Sequence, residues 1–305
     1  MPITPTKKIW MDGELVDWED ANIHVLTHSL HYGWAVFEGI RAYETPNGPG
    51  VFRLTDHMKR LYRSAKIYCM EPDIPVEGSV QAVKDLIAAN EIATCYIRPL
   101  VYLGYGEIGL NPLPSKVRMS IACWPWGAYL GEEAFETGVR AMVSSWRRLD
   151  NNMIPPQAKA CGQYLNSSLA KVEAVKAGYD EAILLNAHGY VSDGTGENVF
   201  VVRDGVISTP PAHAGCLGGI TRDSIIQVAR DLDYEVRETE LVRTDLYLAD
   251  EAFFTGTAAE VVPVREVDDR VVGPAGPITR RLMEAFHNVV RGKDDRYKDW
   301  VELVR

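Results

Sequence analysis

Short segments with strand alternation and longer segments with helical spacing follow one another along most of this 305-residue chain. Residues 95–104, CYIRPLVYLG, alternate as a strand does and place Arg98 among tyrosines on one face. Residues 55–69, TDHMKRLYRSAKIYC, carry an apolar stripe at helical spacing. Interleaved strands and helices of this kind predict a mixed α/β (α+β) fold. An arginine on such a strand indicates an anionic partner or an open cleft.

Turn and linker signals divide the chain further. Asp12-Gly13 between two apolar runs predicts a hairpin. A glycine-flanked acidic stretch at 128–138 predicts an interdomain linker. We therefore expect a smaller N-terminal α/β domain at 1–127 and a larger C-terminal α/β domain at 139–305. Neither a dinucleotide-binding glycine fingerprint nor a Walker A motif is present, which disfavours nucleotide binding.

Composition narrows the classes of function. The net charge of −10 disfavours a nucleic-acid surface, since phosphate neutralisation requires a basic field. The five cysteines show no CxxC pairing and no histidine at metal-ligand spacing, so we expect reduced thiols and no metal site. The N-terminus lacks the apolar core of a signal peptide, and no apolar run approaches the ~20 residues of a membrane span. These features predict a cytoplasmic protein.

One lysine lies in an unusual setting. Lys159 stands in the stretch PPQAKACGQYLNSSLA, among alanine, cysteine and glycine. Apolar surroundings disfavour the charged ammonium form, and a neutral amine is the form that makes a Schiff base with a carbonyl substrate or with pyridoxal phosphate. A loop lysine that reaches solvent is the alternative.

Three further segments are candidates for ligand contacts. Residues 215–224, GCLGGITRDS, feed a glycine-rich turn into a helix, which is typical of phosphate sites and also of simple capped helices. In residues 191–200, VSDGTGENVF, Asp193 or Glu197 could pair with a protonated pyridine nitrogen, or the segment is only a hairpin turn. Residues 253–260, FFTGTAAE, offer hydroxyls and backbone N–H groups at a strand end, or form a bulge.

In combination these segments resemble the branched-chain amino acid aminotransferases of the class IV, or fold-type IV, pyridoxal-phosphate enzymes. The matching motifs run over nearly the whole chain in the family's order. They are HSLHYGWAVFEGIRAY (28–43), HMKRLYRSAKIY (57–68), YIRPLVYLG (96–104), PWGAYLG (125–131), KACGQYLNS (159–167), SDGTGENVF (192–200), GGITRDSI (218–225) and ADEAFFTGTAAEVVPV (249–264). The resemblance implies two domains with pyridoxal 5'-phosphate in the interdomain cleft, and a homodimer or higher homo-oligomer.

The resemblance also implies a set of cofactor contacts. Lys159 matches the lysine that holds the cofactor as a Schiff base, Tyr164 matches the tyrosine on its phenolic oxygen, and Arg60 matches the phosphate-binding arginine. Asp193 stands where the family usually has the glutamate that pairs with the pyridine nitrogen, and Glu197 is the second choice for that role. The full expected set is Arg60, Lys159, Tyr164, Asp193, Glu197, Asn198, Leu217, Gly219, Ile220, Thr221, Gly256 and Thr257.

On the substrate side, Arg98 matches the residue that meets the distal carboxylate of glutamate. Thr257 and Ala258 match backbone donors for the α-carboxylate. The full expected set is Tyr32, Phe37, Gly39, Arg41, Tyr96, Arg98, Leu110, Trp126, Tyr129, Tyr164, Thr257 and Ala258.

The implied activity is ping-pong transamination of leucine, isoleucine or valine with 2-oxoglutarate, which gives 2-oxo acids and L-glutamate. D-amino-acid aminotransferases, aminodeoxychorismate lyases and (R)-selective amine transaminases keep the lysine and change the substrate residues. FEGIRAY, YIRP and PWGAYLG together favour the branched-chain group. A noncatalytic protein that binds pyridoxal phosphate is the remaining alternative. It is disfavoured because Lys159, Arg60, Tyr164 and a carboxylate at 193 are all present.

Overall fold

A computed structural model describes residues 3–127 and 133–304 of the chain. Contacts between Cα atoms group the chain into two compact units. The first unit comprises Met1–Gly127, Ala158–Gly162 and Asn288–Arg305, and the second comprises Ala128–Gln157 and Gln163–His287. Each unit contains one sheet with helices, so the expected mixed α/β class is confirmed.

The first unit is built on an eight-stranded antiparallel sheet. Its elements are β1 (Lys8–Met11), β2 (Glu14–Asp17), α1 (His28–Tyr32), β3 (Ala35–Phe37), β4 (Ile40–Thr45), β5 (Gly48–Phe52), α2 (Leu54–Ile67), α3 (Val76–Asn90), β6 (Cys95–Leu103), β7 (Val117–Trp124) and the late strand that closes the sheet, Val301–Leu303. The strand order is Val301–Leu303, β5, β4, β6, β7, β1, β2, and β3 pairs with β6. The predicted hairpin is confirmed: Asp12 and Gly13 have φ of 47° and 107°, as a tight two-residue turn requires.

Helices α2 and α3 pack together, and α2 buries the apolar stripe that the sequence spacing predicts. Met58, Leu61 and Ala65 of α2 are fully buried in the core of the first unit, where they contribute about 1.5–3 kcal/mol for each large side chain. The helix begins at Leu54 and ends at Ile67, close to the predicted 55–69. The stripe leaves the charged residues of α2 on its other faces.

The segment around Lys159 belongs by its contacts to the first unit. Ala158 and Ala160 are buried in the core of that unit, and Ala160 forms an isolated antiparallel bridge with Val36. The sequence predicts one C-terminal domain at 139–305. Two segments of that range group with the first unit instead: residues 158–162 lie at the edge of β3, and Val301–Leu303 pairs with β5. Non-local pairings of this kind leave no local periodicity in the sequence.

The second unit contains a nine-stranded mixed sheet. Its elements are α4 (Glu133–Thr137), β8 (Val139–Arg147), α5 (Tyr164–Lys176), β9 (Glu181–Leu185), β10 (Val191–Gly194), β11 (Asn198–Arg203), β12 (Val206–Thr209), α6 (Ile220–Asp231), β13 (Val236–Glu238), α7 (Arg243–Tyr247), β14 (Glu251–Gly256), β15 (Glu260–Val267), β16 (Arg270–Val271) and α8 (Pro277–Val290). The strand order is β10, β9, β8, β15, β14, β11, β12, β13, and β16 pairs with β15. The last strand of the chain, Val301–Leu303 in the first unit, is numbered β17.

Parallel pairing joins β8 to β9 and to β15, and α5 crosses between β8 and β9 as such a connection requires. Ala170 and Ala174 of α5 pack on Ala182 and Leu184 of β9. Of the predicted linker at 128–138, residues 128–132 lie outside the described residues and Glu133–Thr137 form a short helix. None of the helices in the described part of the chain has the length and apolar character that a membrane crossing requires.

Candidate active site

The backbone of Lys159 makes two hydrogen bonds within the first unit. Its N–H donates to Ser64 Oγ at 3.1 Å, and its carbonyl accepts from Phe37 N at 2.9 Å. The flanking alanines are buried while Lys159 itself is half-buried, and its Nζ lies 5.1 Å from the centre of the Phe37 ring. Small neighbours therefore allow this segment to lie against the core with the amine directed at an aromatic face.

The ring of Phe37 also contacts the guanidinium of Arg98. The Arg98 guanidinium carbon lies 4.6 Å from the centre of the Phe37 ring and 5.2 Å from that of Tyr96. Arg98 Nη2 donates to the Tyr96 hydroxyl at 3.1 Å, and its Nε is buried without a hydrogen-bond partner. A buried donor without a partner is costly unless a ligand satisfies it, and an anion is the natural choice. The structure thus brings Phe37, Tyr96, Arg98 and Lys159 together.

Gly39 and Trp126 both lie beside Tyr96. A Cβ at Gly39 would overlap with the hydroxyl oxygen of Tyr96, so only glycine permits Tyr96 to lie here. The rings of Tyr96 and Trp126 are 4.8 Å apart between centroids. Arg41 pairs with Tyr96 in the register of β4 and β6, and its guanidinium lies over Tyr43 at 5.0 Å. Its side chain therefore contacts a ring outside the Phe37 group.

Arg60 extends from α2 to a buried carboxylate. Its Nε and Nη2 donate to the two oxygens of Glu38 at 2.6 and 2.8 Å. His57 Nδ1 donates to the same carboxylate at 2.8 Å. Burial opposes the ionisation of Glu38, but the charges of Arg60 and His57 and the hydrogen bonds from both hold the pKa of Glu38 well below its usual range.

Tyr32 and Leu110 lie at the surface of the first unit, with exposed fractions of 42% and 88%. His28 connects their segments, because its ring lies 4.7 Å from that of Tyr32 and its Nε2 bonds the Gly109 carbonyl at 2.8 Å. The segments of the two residues are therefore connected through His28 at the surface of the unit. Tyr129, the other predicted pocket residue from this part of the chain, lies outside the described residues.

In the second unit, Asp193 lies on β10 and is buried. Arg148 Nε is 3.5 Å from Asp193 Oδ1 and donates to the Gly215 carbonyl at 3.2 Å. Arg148 Nη1 donates to Ser167 Oγ at 3.3 Å, on the helix that begins with Tyr164. One guanidinium thereby links the strand of Asp193 to the helix of Tyr164. An adjacent guanidinium favours the ionised form of a carboxylate.

Glu197 is buried in a different environment. Its Oε2 accepts from the Gly196 N–H at 3.0 Å, and its charged neighbours include Glu181 and Asp193. Burial in the first place, and then the negative charge of Glu181, raise the pKa of Glu197 to about 8. The two candidate carboxylates thus differ, since the one at 193 lies beside a cation and the one at 197 is largely protonated at neutral pH.

The amino end of α6 is closely fitted to Asn198. Gly219 is the N-cap of α6, and it makes no side-chain capping bond. Asn198 Nδ2 donates to the Leu217 carbonyl at 2.9 Å, and a Cβ at Gly219 would overlap with Asn198 Oδ1. Ile220 and Thr221 begin the helix and are buried. An uncapped helix start reached through glycines suits an anion such as phosphate.

The turn Thr257–Ala259 follows directly after Gly256, the last residue of β14. Thr257 and Ala258 are half-buried there. A Cβ at Gly256 would approach Glu197 Cγ at 3.5 Å, and Thr255 pairs with Asn198 in the register of β11 and β14. The structure therefore brings the 193–198, 217–221 and 255–258 segments together in this unit.

The donor set fits pyridoxal phosphate. Thr255 Oγ1 is fully buried without a hydrogen-bond partner beside Asn198, which leaves a hydroxyl for a polar ligand. The first unit contains an amine and an arginine, and the second unit contains buried carboxylates and an uncapped helix start. These are the groups for an aldehyde, a phosphate and a pyridine nitrogen.

Four residues that contact the predicted ones were not anticipated: Glu38, His57, Ser64 and Arg148. The sequence could have indicated two of them, because His57 and Ser64 lie three and four positions from Arg60 and therefore share a helical face with it. Glu38 and Arg148 reach their partners across 22 and 45 positions, which local spacing does not reveal.

Comparisons with known proteins identify the family of the chain. Residues 35–267 match the profile of the family described as amino-transferase class IV. The branched-chain-amino-acid aminotransferase of Salmonella typhimurium is 50% identical over 305 residues, which cover 98% of this chain and 99% of that protein.

Two solved structures are similar along the same length. The crystal structure of the Escherichia coli branched-chain amino acid aminotransferase has a TM-score of 0.96 at 48% identity, covering 98% of this chain and 100% of that one. The branched-chain amino acid aminotransferase from Thermobaculum terrenum, in its PLP form, has a TM-score of 0.93 at 38% identity, covering 99% of each chain. The resemblance predicted from the motifs is confirmed.

Proposed function

This chain belongs to the class IV aminotransferases, and from that premise we propose that it transfers an amino group between leucine, isoleucine or valine and 2-oxoglutarate. The observation that carries the proposal is the group around Phe37. The Phe37 ring, an aromatic face suited to an aliphatic side chain, lies against Arg98, a cation suited to a distal carboxylate, and also adjoins the Lys159 amine. A pocket that must accept leucine and glutamate in turn needs both surfaces.

When bound, pyridoxal phosphate supplies an aldehyde that condenses with amines and a ring that takes up the electron pair left by deprotonation. Lys159 would hold the cofactor covalently and then act as the general base, taking the proton from the substrate Cα and later returning it. Arg60 and the start of α6 would bind the phosphate, Tyr164 the phenolic oxygen and Asp193 the pyridine nitrogen. Arg98 would orient the distal carboxylate of glutamate.

We further propose that two copies of the chain form the working unit. The segments 23–32 and 105–113, which we call the two-loop surface, expose an unusual amount of apolar side chain. They are tied together by the His28–Gly109 bond and by the His24–Tyr105 ring contact. The exposed members are Ile23, Val25, Leu26, Leu30, Tyr32, Tyr105, Ile108, Leu110 and Leu113. Nine exposed apolar side chains on two connected segments are typical of a protein interface, and a second copy is the occupant that homodimers of this family imply.

A cytoplasmic location is also part of the proposal. All five cysteines are free thiols, and Cys95, Cys123 and Cys216 are buried, as in proteins of reducing compartments.

The decisive experiment is an anaerobic half-reaction. The purified, cofactor-loaded protein is mixed separately with L-leucine, D-alanine and (R)-1-phenylethylamine, and the cofactor absorbance is followed. Rapid bleaching by L-leucine, reversed by 2-oxoglutarate, is the expected result. Comparable bleaching by D-alanine or the (R)-amine would instead assign the protein to a sister group, and failure to bind pyridoxal phosphate would refute the proposal.

Lys159→Ala tests the catalytic base. We expect turnover to disappear while weak, noncovalent cofactor binding remains. Lys176→Ala, an exposed lysine at the end of α5, is the control and is expected to leave the rate unchanged. Wild-type turnover in Lys159→Ala would overturn the assignment.

A further inference from the structure

A buried ion-pair cluster in the first unit lies beside the predicted site. Glu38 has no exposed surface, and His57 is 1% exposed. The carboxylate accepts two bonds from Arg60 and one from His57, all between 2.6 and 2.8 Å. The side-on pairing fixes the plane of the guanidinium, because both bonds must remain parallel. Arg60 is the only one of the three with notable side-chain exposure, at 13%.

The cluster is also connected to Lys159. His57, Arg60 and Ser64 lie on one face of α2, and Ser64 Oγ accepts the Lys159 N–H. Phe37, the residue before Glu38, donates its N–H to the Lys159 carbonyl, and Glu38 N–H donates to the Pro99 carbonyl. The predicted phosphate arginine and the predicted attachment lysine are thus held by one helix face and one strand end.

The cluster shifts the pKa of both of its titratable groups. Burial lowers the pKa of His57 despite Glu38, with Arg60 and Lys159 acting in the same direction as burial. His57 Nδ1 donates to Glu38, and its buried Nε2 has no hydrogen-bond partner. A negative charge at Glu38 would weaken the attraction of Arg60 for phosphate, so the benefit of the pairing must lie in orientation.

We propose that Glu38 and His57 are positioning residues that fix the Arg60 guanidinium for the phosphate group of the cofactor. The inference rests on the proposed function, in which Arg60 binds that phosphate. An arginine side chain otherwise loses considerable rotamer freedom on binding, and orientation in advance removes part of that entropic cost.

The test compares pyridoxal phosphate with pyridoxal, which lacks the phosphate and still reacts with Lys159. Affinities of both for the cofactor-depleted, full-length protein are measured by absorbance titration. Glu38→Asp keeps the charge but shortens the reach, and Glu38→Gln keeps the shape but removes the charge. We expect both to weaken pyridoxal phosphate binding roughly tenfold, with less than about a twofold change for pyridoxal.

His57 variants test the second contact. His57→Leu removes the donor to Glu38 and is expected to act like Glu38→Asp, whereas His57→Asn keeps a donor near the Nδ1 position and is expected to restore affinity. The control is Asp56→Asn, which removes the surface ion pair of Arg53 and Asp56 on the same helix and is expected to change neither affinity.

The outcomes separate the inference from its premise. If Arg60→Lys, which cannot bind bidentately, keeps the full preference for pyridoxal phosphate over pyridoxal, the assignment of Arg60 fails. If Arg60→Lys loses that preference while Glu38→Asp keeps it, Arg60 binds the phosphate without help from Glu38 and the present inference is wrong. A gain of affinity in Glu38→Gln with no change in Glu38→Asp would also refute it, since Glu38 would then act through its charge alone.

Discussion

Two buried carboxylates only four positions apart are placed in opposite electrostatic environments. Asp193 lies beside the Arg148 guanidinium, whereas Glu197 lies near Glu181 and bonds a backbone N–H. A protonated pyridine nitrogen needs an ionised partner, so the environment favours Asp193 over Glu197 for that role. The sequence left both open, because the motif SDGTGENVF contains the two carboxylates without their neighbours.

Asp193→Asn should slow the bleaching of the cofactor by L-leucine on the order of 10²-fold, because an amide cannot stabilise the positive ring nitrogen. The measurement is the single-turnover rate. Ser192→Ala, one residue earlier on the same strand and with a hydroxyl that has no hydrogen-bond partner, is the matched control and should stay within about twofold. A near-normal rate in Asp193→Asn together with a slow Glu197→Gln would move the role to Glu197.

The raised pKa of Glu197 predicts a pH dependence of stability. The group takes up its proton more readily in the folded state, with a pKa of about 8 against an ordinary value of 4.5. Its contribution is therefore fully present below pH 4.5 and is lost as pH rises through 8. In Glu197→Gln the free energy of unfolding should gain a few kcal/mol relative to wild type between pH 5 and pH 9. Urea unfolding of the cofactor-free protein at both values measures this.

Glu235→Gln, an exposed glutamate before β13, is the control for that experiment and should parallel the wild type. Parallel curves for Glu197→Gln as well would show that Glu197 ionises normally in the folded protein.

At the scale of elements, the glycine before α6 allows the helix start to fit Asn198. The N-cap φ of Gly219 is −67°, which any residue adopts, so glycine is required here for space alone. A Cβ would overlap with Asn198 Oδ1 and disturb the bond from Asn198 to the Leu217 carbonyl. The helix start that we propose for the phosphate therefore depends on a contact with β11.

Gly219→Ala should destabilise the protein by about 1–3 kcal/mol and weaken cofactor binding, since Asn198 or the loop must move. Thermal unfolding and an absorbance titration check the two effects. Gly196→Ala is the matched control, because a Cβ there meets nothing within 4 Å. Adding Asn198→Ala removes the clashing oxygen, so the double variant should lose less than the sum of the single losses. Strict additivity would show that the two residues do not interact.

The sequence predicted those elements that are local and periodic. The hairpin at Asp12–Gly13, the strand of Arg98 and helix α2 were all within two residues of their observed bounds. Arg98 was also correctly expected among tyrosines, because alternation alone places them on one face. The Glu38–Arg60 pair was not predicted, because it depends on where β3 ends relative to α2, which local patterns do not specify.

At the scale of the whole molecule, the two units differ in how their chain is assembled. The second unit is formed from 133–157 and 163–287, while the first takes residues from three separate parts of the described chain. Lys159 thereby lies in a short insertion whose neighbours, Ala158 and Ala160, belong to the core of the first unit. Loss of the small side chains here would disturb a sheet more than a hundred residues earlier in sequence, which explains the run of small residues around the lysine.

The two-loop surface predicts the assembly state. We expect sedimentation equilibrium to give twice the 34.0 kDa mass of one chain. Leu110→Asp buries a charge without a partner in the proposed interface and should weaken self-association by about 10²-fold or more, which gives monomers at micromolar concentration. Val271→Asp, a comparably exposed apolar residue in β16 of the second unit, is the control and should remain dimeric.

A second exposed apolar face offers the competing arrangement. Leu165, Leu169 and Val172 are 73%, 45% and 51% exposed along α5, so Leu165→Asp is made in parallel. If Leu165→Asp dissociates the protein and Leu110→Asp does not, the interface lies on α5 and Tyr32 and Leu110 stay exposed. Dissociation by Leu110→Asp alone, with slower bleaching by L-leucine, would mean that the two-loop surface contributes to the substrate pocket only within the dimer. That outcome would account for two predicted pocket residues that lie at the surface of one chain.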